Sequence, residues 1–123
     1  MGADQTIDYQ SEKFENILKD VDLVLDLVGG ETQERSWKVL RKSGRLISTV
    51  QPPSDETAGK YGVTGKFFMA KARADQLRTI GRLIDEGSVT VHIEKTVPLD
   101  HAAEAHESLE HQHTQGKIVL KVT

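Results

Sequence analysis

Short apolar runs alternate with segments of helical periodicity over the first two thirds of the chain. The strongest run, residues 21–28, is apolar at positions that point to both faces of a strand, which is typical of a buried strand in a parallel sheet. Residues 46–50 form a second strand candidate, and a third is predicted within residues 63–70. A brief strand is also predicted at residues 6–9. These runs favour a sheet whose strands are joined by helices.

Helices are predicted between these runs from the spacing of apolar residues. The first helix follows Ser11 as its capping residue, the second covers residues 32–42 and ends at Gly44, and a strongly amphipathic third ends at Gly87. Residues 54–65 contain three glycines and no clear period, so they are predicted to form a loop. The inward positions of the three helices are Phe14, Ile17 and Leu18, then Trp37 and Leu40, then Leu77, Ile80, Leu83 and Ile84.

The end of the chain has a different character. Residues 89–93 alternate between apolar and polar and predict a strand with one solvated face. Asp100 is predicted to cap a helix rich in Ala, Glu and His, and residues 116–122 form a closing strand. The whole pattern predicts an α/β fold with a mostly parallel sheet, flanking helices and a C-terminal strand–helix–strand tail. We place the boundary between the main domain, residues 1–88, and the tail, residues 89–123.

Composition limits the classes of protein that remain. The 123 residues are enough for one domain, and 37% of them are hydrophobic. The formal net charge of −3 gives no reason to expect binding to nucleic acid or to an anionic membrane. The chain has no cysteine, which excludes a disulfide framework and a cysteine nucleophile. No apolar run is long enough to span a membrane and the N-terminus does not resemble a signal peptide, so we expect a soluble, cytoplasmic protein.

The end of the strongest apolar run is the main candidate for a ligand site. Asp26 is followed by Gly29 and Gly30, and residues 48–51 follow the next strand with hydroxyl and amide side chains. Ligands of open parallel sheets bind beyond the carboxyl ends of the strands. On spacing alone, an ordinary tight strand-to-helix turn is the more common explanation. Neither GxGxxG nor GxxxxGK[ST] occurs, so the sequence lacks the backbone nest that holds a pyrophosphate or triphosphate.

Neither the histidines nor the aspartates suggest a metal or catalytic site. His101, His106, His111 and His113 crowd the last predicted helix without the i, i+4 spacing of a helical zinc clamp. Asp22 and Asp26 are four strand residues apart, which is about 13 Å and too far for a catalytic carboxylate pair. We assign no metal ligand and no catalytic residue, and expect Asp26 to bond backbone at the strand exit.

Five segments in one order resemble a known family. GADQTIDY (residues 2–9), VDLVLDLVGG (21–30), GRLIS (44–48), PLDHAAEAHE (98–107) and GKIVL (116–120) resemble the C-terminal part of medium-chain dehydrogenases/reductases, in particular the zinc-independent NADPH quinone oxidoreductases. The resemblance covers nearly the whole chain. It implies an incomplete Rossmann-like domain that lacks the substrate domain and the pyrophosphate-binding turn of the family.

The function implied by this resemblance is hydride transfer from NADPH to a quinone or to a conjugated enone, the nicotinamide carrying the chemistry. The isolated chain is expected to bind the cofactor weakly and not to catalyse. Two alternatives remain open. The chain could be a non-catalytic nucleotide-binding or structural module, or a fragment of a zinc-dependent alcohol dehydrogenase.

The resemblance also implies cofactor contacts, position by position. Tyr9 would lie near the adenosine end of the cofactor, and Leu27, Val28 and Gly29 would contact it after the strand of residues 21–28. Ser48, Thr49, Val50 and Gln51 would lie along the rim of the next strand, near the ribose and nicotinamide. Phe67, Phe68 and Met69 would lie at the carboxamide. Gln112 occupies a position where some relatives have an arginine near the cofactor.

A Rossmann sheet has the strand order 3-2-1-4-5-6, and this chain would lack strands 1 and 2. One edge of residues 21–28 would then be bare, which is costly for an apolar strand. We expect this edge to be paired again by residues 6–9, by a tail strand or by a second chain. The resemblance further implies a homo-oligomer that pairs through sheet edges, with residues 63–70 as the matching strand.

Overall fold

A computed structural model describes residues 2–111 and 114–122 of the chain. They form two compact units, Met1–Lys71 and Ala72–Thr123. The α/β class predicted from the sequence is confirmed. The division between the units falls between residues 71 and 72 of the chain, whereas the sequence placed the domain boundary between residues 88 and 89. The division into an incomplete Rossmann-like domain, residues 1–88, and a tail, residues 89–123, stays a prediction.

The first unit is a parallel sheet with short helices. Among the described residues its strands are β1, β2 and β3 in that spatial order, and both pairings are parallel. Parallel neighbours need a crossover between them, and the helices supply it. The elements are α1 (Phe14–Ile17), β1 (Val21–Asp26), α2 (Gly30–Ser36), a 3₁₀ turn (Trp37–Val39), β2 (Leu40–Ser48), α3 (Asp55–Tyr61) and β3 (Thr64–Phe67).

The core of the first unit lies on one face of this sheet. Trp37 and Leu46 are 0% exposed and pack with Ala58, and partly buried apolar side chains surround them. On the opposite face of β1, Leu23 and Leu25 are 53% and 58% exposed. The prediction that this strand is buried on both faces is therefore wrong, because the described residues cover only one of them.

The predicted strand at residues 6–9 is absent: residues 6–8 have no regular secondary structure, and residues 9–11 form a turn. Asp8 closes that turn by accepting hydrogen bonds from the Gln10 amide and the Ser11 hydroxyl, both at 3.0 Å. Ser11 is therefore not the cap of α1, which begins after Lys13 without a side-chain cap. Local hydrogen bonds to the Asp8 carboxylate therefore form where a strand and a helix cap were predicted.

The helix predicted at residues 32–42 is too long. It ends at Ser36, the chain makes a 3₁₀ turn, and Leu40 begins β2. Gly44 lies inside this strand rather than ending a helix, at a register shift between β1 and β2. A Cβ atom there would lie 2.8 Å from the Arg41 carbonyl oxygen, so the irregularity needs a glycine.

The loop predicted at residues 54–65 is also wrong, because it contains α3. Ser54 caps this helix by accepting a hydrogen bond from the Thr57 amide at 3.2 Å. Gly62 ends it in the left-handed conformation, with φ +66°. Ser54 and Gly62 are ordinary helix-boundary residues, but the three glycines of this segment led to the prediction of a loop.

The second unit has less regular structure. In its described part it contains α4 (Ala74–Asp85), β4 (Ile93–Pro98), a 3₁₀ turn (Leu99–His101), α5 (Ala102–His111) and β5 (Lys117–Lys121). The helix before Gly87 and the closing strand are confirmed. The strand predicted at residues 89–93 begins only at Ile93, and β4 pairs with β5 in parallel. Asp100 lies within the 3₁₀ turn and not at a helix cap.

The outer edge of β1 has no strand beside it among the described residues. Pairing by residues 6–9 or by a tail strand, two of the three predicted routes, is therefore wrong. Pairing by a second chain stays a prediction. Across the described residues, no helix combines the length and hydropathy that a bilayer crossing requires.

Candidate functional site

The carboxyl ends of the three parallel strands meet in one row. Asp26 is paired with Ser48, and Ser48 with Phe67. The next residues continue this contact, since the Thr49 amide donates to the Asp26 carbonyl at 3.2 Å and the Phe68 amide to the Ser48 carbonyl at 3.1 Å. We call this edge, with the residues that follow each strand (27–30, 49–51 and 68–69), the carboxyl rim. It brings together the predicted site residues from three separate segments.

Asp26 is the centre of a buried hydrogen-bond network at the rim. Its Oδ1 accepts from the backbone amides of Val28 and Gly29, at 3.0 and 2.8 Å. Its Oδ2 accepts from Gln33 Nε2 and Ser48 Oγ, at 2.8 and 2.9 Å. Burial alone would raise the pKa of the Asp26 carboxyl, but the hydrogen bonds outweigh burial and hold it below the ordinary 3.8. Asp26 is therefore ionised at neutral pH, and its predicted bond to backbone is confirmed.

A chain of side-chain amides extends from Asp26 to the start of α2. Gln33 Oε1 accepts from Gln51 Nε2 at 3.1 Å, and Gln51 Oε1 accepts from the Gly30 amide at 3.0 Å. Gln33 Nε2 also lies 3.3 Å from the Gln51 carbonyl oxygen. The side chain of Gln51 thus bonds within the rim and ties the loop after β2 to the loop after β1.

Gly29 is required by its backbone conformation and by its neighbours. Its φ is +77°, a region that side-chain-bearing residues rarely adopt. A Cβ atom there would lie 3.0 Å from Val50 Cγ2 and 3.1 Å from Gln51 Oε1. The turn between β1 and α2 is therefore packed directly against the loop after β2.

The predicted site residues separate by burial. Gly29 and Ser48 are buried, and Thr49 and Gln51 are half-buried. Tyr9 is 64% exposed in the turn near the N-terminus, away from the ends of the strands in sequence. Gln112 lies outside the described residues. The exposed residues on the rim are Leu27, Val28, Val50, Phe67, Phe68 and Met69.

Ser48 has a different place from the one its hydroxyl suggested. It is fully buried, donates to Asp26, and accepts from the Val50 and Gln51 amides, both at 3.3 Å. Its hydroxyl therefore connects the Asp26 carboxylate to the loop after β2 and does not face solvent.

Gln33 is a site residue that the sequence reasoning missed. It is 1% exposed and connects Asp26 to Gln51. The available signal was a polar residue seven positions after a strand-end aspartate, on the first turn of a helix that begins at Gly30. A buried amide needs partners, and the strand-end carboxylate supplies one.

The rim fits one half of a dinucleotide better than the other. Backbone loops and exposed apolar side chains suit a flat ring that needs a few polar contacts. The turn that opens α2 has two glycines, Gly29 and Gly30, without the GxGxxG or GxxxxGK[ST] spacing that holds a pyrophosphate. Residues 2–111 and 114–122 also contain no group of three or more His, Asp or Glu able to hold a metal ion.

A parallel sheet whose connecting loops gather at the carboxyl ends of its strands is the arrangement of the Rossmann-like dehydrogenases. The chain belongs to the zinc-binding dehydrogenase family, whose pattern it matches over residues 1–120. The resemblance drawn from the sequence is thereby confirmed.

Individual relatives share the chain's sequence and fold. It is 31% identical to a probable mitochondrial zinc-binding oxidoreductase of Arthroderma benhamiae, over 99% of this chain and 39% of that protein. It is 28% identical to a chloroplastic NADPH-dependent alkenal/one oxidoreductase of Arabidopsis thaliana, over 98% of this chain and 29% of the relative. The structure of a quinone oxidoreductase from Coxiella burnetii superimposes with a TM-score of 0.86 at 31% identity, covering 99% of this chain and 40% of that one.

The chain spans about two fifths or less of the length of these relatives. The relatives are oxidoreductases, and the one from Arabidopsis thaliana is described as NADPH-dependent. The family to which this chain belongs therefore includes oxidoreductases.

Proposed function

We propose that this chain forms the nicotinamide-binding part of an NADPH-dependent oxidoreductase that reduces a quinone or a conjugated enone. Relatives described as a quinone oxidoreductase and as an alkenal/one oxidoreductase support both substrate classes. The family membership supports the reaction type.

The observation that carries this proposal is the carboxyl rim itself. Asp26, Ser48 and Phe67 stand in one row, and loops with exposed apolar side chains follow each of them. Exposed apolar side chains gathered at the ligand-binding edge of a parallel sheet are typical of a site that covers a flat ring.

The proposed work of the chain's own residues is to bind, orient and exclude water. The cofactor, when bound, supplies a hydride. The loop backbones at residues 27–29 and 49–51 would fix the ring, while Val28, Phe68 and Met69 would shield it from solvent. Asp26 is not a proton donor in this proposal, because its carboxylate is ionised and already accepts four hydrogen bonds.

The isolated chain is expected to bind NADPH weakly and to show no turnover. The pyrophosphate half of the cofactor has no glycine-rich nest among the described residues, so much of the binding energy is missing. We expect a dissociation constant above about 100 μM, which corresponds to a binding free energy weaker than about 5.5 kcal/mol.

An NADPH fluorescence titration tests the proposal. Val28→Glu places a carboxylate on the rim, where Val28 is 72% exposed, and should abolish the weak binding. Val122→Glu is the matched control, since Val122 is equally exposed at 73% but lies in the second unit, and it should leave binding unchanged. Equal binding by the wild type and Val28→Glu would refute a rim site. Absence of any binding at millimolar cofactor would favour a non-catalytic structural module.

The oligomeric state and cellular location belong to the proposal as well. We propose that two copies pair through sheet edges, because β1 and β3 each have a free edge within the described residues. Light scattering should give the mass of a dimer, and a strictly monomeric chain at high concentration would contradict this. A cytoplasmic location stays a prediction.

A further inference from the structure

The network at the carboxyl rim has a fixed direction. Asp26 is ionised and can only accept, so Gln33 must present its Nε2 to it. The second N–H of Gln33 Nε2 faces the Gln51 carbonyl oxygen, 3.3 Å away, so only Gln33 Oε1 is left for the Gln51 side chain, which must donate through its own Nε2. The oxygen of Gln51 is thereby turned to the Gly30 amide, which can only donate.

We propose that Asp26 is a positioning residue of the nicotinamide site: its acceptor-only carboxylate fixes the direction of the amide chain through Gln33 and Gln51 to Gly30, and so holds the two rim loops together. This rests on the function proposed above. Asp26 is buried beneath the loops and acts through their backbones, whereas the exposed atoms of those loops would meet the ligand.

Two features separate this role from an ordinary strand-end turn. A turn alone requires only the two hydrogen bonds that Asp26 Oδ1 accepts from the Val28 and Gly29 amides, at 3.0 and 2.8 Å. The Oδ2 atom instead reaches Gln33 and Ser48, residues of α2 and the end of β2. Through them, a single carboxylate connects the loop after β1 with the loop after β2.

Asp26→Asn tests the direction of the chain while keeping the shape of the side chain. The new amide group donates toward Gln33, which must turn over, and the reversal then sets the Gln51 amide group against the Gly30 N–H. We expect amide hydrogen exchange at Val28, Gly29 and Gly30 to rise at least tenfold. We also expect NADPH affinity, followed by the amide chemical shifts of the rim, to fall about tenfold.

The matched control is Asp22→Asn on the same strand. Asp22 is 78% exposed at its side chain and pairs with Arg41 at the other end of β1. Its substitution should change neither exchange at the rim nor NADPH affinity.

Rescue distinguishes positioning from a merely structural role. The double variant Asp26→Asn/Gln33→Glu moves the acceptor-only group one step along the chain and again lets the Gln51 oxygen face Gly30. We expect it to recover most of the affinity lost by Asp26→Asn alone.

If Asp26→Asn does not fold, Gln51→Met cuts the same chain at its half-buried end, leaves the Gly30 N–H without its acceptor, and should raise exchange at Gly30 and weaken NADPH binding. NADPH affinity in Asp26→Asn equal to that of the wild type would overturn the positioning role and leave the proposed function standing, as would a double variant no better than the single one. A wild-type rim that does not respond to millimolar NADPH would overturn the proposed function and this role together.

Discussion

The two units of this chain bury their side chains very differently. In Met1–Lys71, Trp37 and Leu46 are fully buried and a closed polar network lies beside them. In Ala72–Thr123, the buried residues among those described are Ala105 and Ser108, both small. The core and the candidate site therefore belong to the same unit, and buried hydrogen bonds hold the site residues.

The helix α4 also shows that the second unit buries less of its apolar surface than the first. Its amphipathic pattern is confirmed as a helix, yet Leu77 is 64% and Ile80 50% exposed. An amphipathic face that remains open contributes little hydrophobic stabilisation. We therefore expect the second unit to be the less stable of the two.

The largest effect is expected from truncating the core of the first unit. Leu46→Ala removes a fully buried side chain and should cost about 3 kcal/mol of unfolding free energy. Leu109→Ala, at a position 56% exposed in the second unit, should stay within about 0.5 kcal/mol. Chemical denaturation followed by Trp37 fluorescence and circular dichroism measures both. Equal losses would remove the contrast between the units.

A pair of serine substitutions compares the polar contacts of the two units. Ser48→Ala leaves the Val50 and Gln51 amides and one side of Asp26 without their partner, and should cost about 2 kcal/mol. Ser108→Ala removes the acceptor of Lys95 Nζ, 2.7 Å away, and should cost less than about 1 kcal/mol, because the long lysine side chain can return to solvent. The same denaturation experiment ranks them, and a larger loss at Ser108 would contradict the comparison.

Two glycines with positive φ give a smaller contrast. Gly29→Ala and Gly87→Ala both impose strain at positive φ, +77° and +73°, but Gly29 also has a ψ of −162°, a region open essentially to glycine alone, so we expect about 2 kcal/mol of strain there and about 1 kcal/mol at Gly87. Only at Gly29 does the new Cβ also meet neighbours, Val50 and Gln51, whereas nothing lies within 4 Å at Gly87. We expect the Gly29 variant to lose about 1 kcal/mol more. Equal thermal shifts would show that the rim loops are not packed tightly.

The smallest effect is the pH dependence that Asp26 contributes. Its pKa is lower in the folded chain than the ordinary 3.8, so its stabilisation is fully present above that value. It is lost as the pH falls below 3.8 toward the folded-state pKa. Asp26→Asn should therefore flatten the acid side of the stability profile, measured by denaturation at a series of pH values. An unchanged acid slope would show that the network does not favour the ionised carboxylate.

Patterns of apolar residues predicted the sheet and its parallel class, because buried strands and amphipathic helices leave a clear period. The boundaries of α2 and β2 were mispredicted, since Trp37 and Leu40 fit a helical spacing as well as the turn and strand that tertiary packing selects. The helix α3 was missed although Ser54 and Gly62 mark its ends.

At the candidate site, the sequence indicated where the rim lies but not how it is held. Strand ends and glycines are visible in the residues, whereas the partner of a buried amide such as Gln33 depends on the register of β1 against β2. That register places Asp26 opposite Ser48. A one-residue slip of either strand would have placed the two side chains on opposite faces of the sheet.

A residue-resolved NMR titration of the 123-residue chain with NADPH tests the central claim that the first unit carries the cofactor site. We expect the amide chemical shifts of residues 27–30, 49–51 and 67–69 to change and those of α5 and β5 to stay the same. Shifts confined to the second unit, or no shifts at millimolar NADPH, would contradict it.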